Sequence, residues 1–155
     1  MLHLSTTIEE VREAVDRAKD ILGDCGINVD ATADQLWQWF ETELPGGDAE
    51  ELGGVVSNSM LVIHELVEID EVLKMGLDIT RDVIVKNPEK IDTAHLRAAQ
   101  VELTVARALG EVDHIRDRCA DIERRCVDET VSEVNKIEYA KLLSEAKSYI
   151  AGLAR

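Results

Sequence analysis

Residues 95–126 read HLRAAQVELTVARALGEVDHIRDRCADIERRC. Ala98, Val101, Val105, Ala108, Val112, Ile115, Cys119, Ile122 and Cys126 alternate by three and four. That spacing lays an unbroken apolar seam along one helix at the coiled-coil period. A second seam of smaller residues, Leu96, Ala99, Leu103, Ala106 and Gly110, runs beside its first half and admits a close neighbour. The pattern predicts a long central helix opening at Asp92 or Thr93, with other helices packed around it.

The rest of the chain supplies those neighbours. Ile8, Val11, Val15, Ala18 and Leu22 form a helical stripe, opened by a Thr7/Glu10 capping box and ended by Gly23 and Gly26. A second helix is expected from Ala31 to Leu44 with Asp30 as its cap, Trp37 in the core and Trp39 as a surface contact, stopped by Pro45, Gly46 and Gly47. Residues 48–59 are glycine-rich but lack the Gly-Lys-Ser/Thr ending of a phosphate-binding loop, so they read as a connector. A third helix is predicted from Val55 to Met75 with Gly76 as C-cap, then a short extended piece at Val83 to Val85 and an Asn87-Pro88 turn. A fifth, from Val131 to Leu153, carries Tyr139, Leu142, Ala146, Tyr149 and Leu153 on one face, with Ser132 or Thr130 as cap. The fold expected is all-α: an antiparallel bundle of about five helices with a long central fourth, one domain over residues 1–155.

Composition narrows the function. The 155 residues hold 17 Lys plus Arg against 32 Asp plus Glu, a formal charge of -15, with 45% apolar residues. So acidic a surface disfavours nucleic acid, because it cannot release phosphate counterions. Met60 to Ile63 is the longest strictly apolar run, which argues against a membrane helix. Three cysteines, Cys25, Cys119 and Cys126, form no short-spaced disulfide framework, and MLHLSTTIEE carries no cationic, apolar signal; a cytoplasmic location is expected. Cys119 and Cys126, a heptad apart in the seam, read as small apolar residues.

Residues 60–75, MLVIHELVEIDEVLKM, carry the candidate chemistry. On a helical wheel His64, Glu68 and Glu71 share a narrow stripe opposite the core stripe of Val62, Leu66, Ile69 and Leu73. That stripe is either the solvated back of the helix or, since Leu61, Ile63, Val67 and Val72 flank it, the lining of a cavity. Glu65 and Asp70 fall among apolar neighbours and need partners if buried. On the fourth helix His95 and Glu102 lie between the two seams, and Glu102 is enclosed by Ala98, Ala106 and Leu109. His114, with Asp113 and Asp117, reads as solvent-facing.

Two functions follow. The first is an interaction or structural protein, homodimeric through the fourth-helix seam. The second is a hydrolase of phosphorylated small molecules or nucleotides, with Zn, Mn, Fe or Mg held by His64, Glu68, Glu71, His95 and Glu102, and Glu65 as general base.

His64-Glu65-Leu66-Val67-Glu68 resembles a zincin motif with glutamate in place of its second histidine; no further histidine motif follows. His64-Glu65 resembles a degenerate form of the His-Asp pair of HD-type phosphohydrolases, whose earlier helical histidine has only His3 as a counterpart. Glu65-x-x-Glu68 and Glu68-x-x-Glu71 are similar to the first acidic motif of helical nucleotide pyrophosphatases of the MazG kind, which implies magnesium and phosphate chemistry. That family's second motif, Glu-x-x-Asp, is missing from a fourth helix that opens at Asp92.

Overall fold

In the computed structural model the described residues are 6–42 and 51–153, and they form eight helices and no strand. The predicted all-helical bundle is found, with more and shorter helices than expected. They are α1 Ile8–Asp24, α2 Ala33–Trp39, α3 Leu52–Val56, α4 Ser59–Lys74, α5 Val83–Lys86, α6 Pro88–Leu109, α7 Val112–Val127 and α8 Glu133–Leu153.

Caps explain most boundaries. Thr7 Oγ1 accepts from Glu10 N at 3.2 Å and opens α1. Thr32, not Asp30, caps α2 in a reciprocal box with Gln35. Asn58 Oδ1 accepts from Met60 N and Leu61 N at 3.0 and 3.4 Å, so the single helix expected from Val55 to Met75 is two. Val83 to Val85 is a helical turn, not an extended piece. Pro88 at the first position of α6 starts that helix before Asp92, since proline there gives up an N–H that has no helical partner. Leu44, Pro45, Gly46, Gly47 and the connector up to residue 50 lie outside the described residues.

The larger correction concerns the long central helix. It ends at Leu109, with Gly110 in the left-handed conformation (φ 70°) as C-cap, and α7 begins at Val112. Contacts show what the break does. Glu102 pairs with Arg118, and Asp92 with Arg125. In one continuous helix the first pair would stand about 24 Å apart. The sums of the paired numbers are nearly equal, so α7 folds back antiparallel along α6. By the same reasoning α4 and α6 are antiparallel, since His64 meets Glu102 and Glu68 meets His95. Tyr139 and Tyr149 of α8 bond to the α6 residues Asp92 and Arg107, so α8 runs in the direction of α6.

The most enclosed element is α4, where every residue from Val62 to Asp70 is buried. It packs against α1, α2 and α3 as well as α6, while α7 and α8 lie together beyond α6. Its burial all round resolves the ambiguity of its wheel: the polar stripe lines the interior. The seam residues Ile115, Cys119 and Ile122 are buried within the chain, where α7 packs on α8, whereas Ala108 is exposed. Trp39, expected as a surface contact, is buried, and Trp37 packs half-buried against the core. Among the described residues no helix is long and apolar enough to cross a membrane.

Candidate metal centre

Antiparallel pairing of α4 and α6 brings three ligand-bearing side chains together. His64 Nε2 lies 3.2 Å from Glu68 Oε2 and 3.2 Å from His95 Nδ1, and His95 Nδ1 lies 3.5 Å from Glu68 Oε2. His64 and Glu68 are one helical turn apart, so a single face of α4 presents both. His95 arrives from α6. A first-row ion with ligands about 2.0–2.1 Å away at tetrahedral angles separates them by about 3.4 Å, which this triangle matches.

The tautomer of His64 is fixed from behind. Its Nδ1–H donates to Glu102 Oε1 at 2.7 Å, leaving Nε2 facing the triangle. Burial raises the Glu102 carboxyl, but hydrogen bonds from His114 and His64 and the nearby Arg118 charge outweigh it and hold the pKa down at about 2. An ionised Glu102 can only accept, so His64 Nδ1 must donate. A carboxylate that grips the far nitrogen of a ligand histidine is the usual support of such a ligand in a metal site. Glu102 also accepts from His114 Nε2 at 2.5 Å and from Arg118 Nε at 2.9 Å.

Without an ion, a proton sits in the triangle. Burial lowers the His64 pKa, yet hydrogen bonds and charge from Glu102 and Glu68 outweigh it and lift it to about 10. Burial likewise opposes ionisation of Glu68, and bonds from His64 and His95 pull its pKa well below the carboxylate range. Burial keeps His95 low and therefore neutral, against a raising bond from Glu68. Glu68 Oε2 accepts from His64 Nε2 at 3.2 Å, and His95 Nδ1 stands at the same distance from that nitrogen. An ion bound here would take the place of the proton on His64 Nε2.

The triangle opens on a cavity of about 760 Å³ whose lining includes Trp39, Glu65, Asp92, Arg118 and Arg125. Its wall carries five carboxylates, Glu65, Glu68, Asp92, Asp121 and Asp128, against three guanidiniums and the His64 imidazolium. Both misplaced acids of α4 find partners. Trp39 Nε1 donates to Glu65 Oε2 at 3.0 Å. Asp70 accepts from Asp30 N and pairs with Lys74, each at 3.0 Å.

Of the six residues singled out in the sequence, His64, Glu68 and His95 form the triangle, Glu102 stands behind it and Glu65 lines the cavity. Glu71 is not brought in: seven residues beyond His64, it lies about 10 Å further along the α4 axis. His114 is not solvent-facing, with its side chain only 10% exposed against Glu102. It and Arg118 were hidden by the unforeseen reversal at Gly110. Because α6 opens at Pro88, Glu89-x-x-Asp92 does lie on it, Glu89 exposed and Asp92 buried in the cavity wall. Asp92 is held there by Tyr139, Asn135 and Arg125.

No family model, no curated protein and no solved structure matches this chain.

Proposed function

We propose that the chain is a divalent-metal-dependent hydrolase of phosphorylated small molecules or nucleotides, its ion held by His64 Nε2, Glu68 Oε2 and His95 Nδ1. The observation that carries this reading is the triangle of three potential ligand atoms, with its histidine oriented by Glu102 and its open side on a cavity. Two imidazoles and one carboxylate favour Zn, Fe or Mn over Mg, which prefers oxygen throughout. Three protein ligands with free positions are the pattern of catalytic sites, not of closed structural ones.

When bound, the ion supplies an acidified water and a Lewis acid for a phosphoryl oxygen. Glu65, on the cavity wall and fixed by Trp39, would accept a proton from the attacking water. In such a hydrolysis the water oxygen would bond to phosphorus as the bond from phosphorus to the leaving oxygen breaks, and Glu65 would return its proton to the leaving oxygen. Glu102 acts through His64 and is a positioning residue.

The test is turnover of a panel of phosphomonoesters and nucleoside triphosphates by Zn- or Mn-loaded protein. Wild type should release phosphate or pyrophosphate, Glu68→Gln and His95→Ala should not, and Glu65→Gln should keep its ion while losing turnover. Metal-loaded wild type that cleaves nothing in the panel contradicts the hydrolase reading.

A further inference from the structure

The cavity wall formed by α7 is unexpected for so acidic a chain. It carries Arg118, Arg124 and Arg125. Arg118 gives Nε to Glu102 at 2.9 Å and one terminal nitrogen to Asp121 at 2.6 Å. Arg125 gives one terminal nitrogen to Asp92 at 3.2 Å, and Arg124 gives one to Asp121. A guanidinium has five N–H donors. Most of those on Arg124 and Arg125 are therefore unspent among the described residues, in a wall where Arg118 is 15%, Arg125 37% and Arg124, at the rim, 72% exposed.

Besides Asp121, two carboxylates from α6 anchor this wall. Glu102 holds both Arg118 and His64. Asp92 holds Arg125 and lies one turn from His95 on α6. Arg118 is thus tied to the ligand histidine His64 through one shared residue, and Arg125 to a carboxylate on the same helix as His95. Arg118 and Arg125 are two turns apart, about 10 Å along α7, long enough to flank an extended anion.

We infer that Arg118, Arg124 and Arg125 receive the phosphate groups of the substrate, their guanidinium forks taking phosphoryl oxygens beside the metal centre. This inference rests on the metal centre proposed above. A phosphoryl group suits the arrangement better than a carboxylate: three terminal oxygens serve the ion and a bidentate guanidinium together, whereas two are used up by either.

The experiment is calorimetric titration of Zn- or Mn-loaded protein with phenyl phosphate and methylenediphosphonate, with malonate as the carboxylate comparison and metal content measured in each sample. Arg125→Gln and Arg124→Gln should each weaken phosphonate and phosphate binding by about tenfold, the loss of a charge-assisted pair, at wild-type metal content. Lys141→Gln, an exposed site on α8, should bind as wild type. Equal binding by the arginine variants overturns the inference, as does malonate binding more tightly than either phosphorus probe. If wild type takes up no metal yet binds the probes through the arginines, the metal centre falls and the arginine wall stands.

Discussion

The two oxygens of Glu102 serve three partners: His64, His114 and Arg118. Glutamine in its place removes the charge and leaves cationic groups buried around a neutral amide. Glu102→Gln should cost about 3 kcal/mol in denaturant unfolding of the metal-free chain, and metal affinity should fall about 10- to 100-fold. Unchanged stability and affinity would show that the buried network contributes neither.

His64 gives a second prediction at this scale. With its folded pKa raised from 6.5 to about 10, its pairing stabilises the metal-free chain fully below pH 6.5 and is lost as the pH climbs through 10. At about pH 8 the ring still carries the proton that an ion must displace. Metal uptake there should release about one proton per ion, and affinity should rise with pH; an indicator dye in weak buffer measures the release. The oddity of Glu102, a carboxylate between two apolar seams, was legible in the sequence. Its partners were not, because they follow a chain reversal that periodicity does not register.

That reversal belongs to the scale of elements. The apolar seam keeps its three-four rhythm from Ala98 to Cys126 straight across Gly110 and Glu111, so nothing in it marks a break. Gly110 reads as one more small residue of the second seam, while its φ of 70° makes it the stop. A Cβ there meets no atom within 4 Å, so a substitution costs backbone strain alone. Gly110→Ala should lower stability by about 1 kcal/mol in thermal or denaturant unfolding, and a neutral result would mean that α6 and α7 tolerate another geometry at their junction. The capped starts were easier to read: Thr7 caps α1 as expected, although the Glu10 carboxylate accepts from the Thr7 hydroxyl and not from its backbone N–H as a full capping box would have it. For α2 the expected cap, Asp30, lies two residues ahead of Thr32, the residue that caps the helix; Asp30 instead gives its N–H to Asp70.

For the whole molecule, the same helices that make the bundle make the site. Burial of α4 on all sides forces its polar stripe inward, and α6, α7 and α2 complete the cavity it faces. The sequence showed that α4 was apolar nearly all round, but not which neighbours would cover the stripe, since that depends on long-range pairing. Because the ion binds only the folded triangle, it should stabilise the fold by about 2.7 kcal/mol at a hundredfold excess over its Kd. Thermal unfolding should therefore shift upward with Zn or Mn and back down on chelation, and the shift should vanish in His95→Ala.

The central claim is that His64, Glu68 and His95 hold a metal ion, not merely a shared proton. The measurement that tests it most directly is elemental analysis of untagged protein, dialysed after loading with Zn or Mn, for wild type beside His95→Ala and Glu68→Gln. The account predicts close to one ion per wild-type chain and a near-complete loss in both variants. Wild type without metal, or variants that keep it, would contradict the account and leave the triangle as a buried ion-pair network.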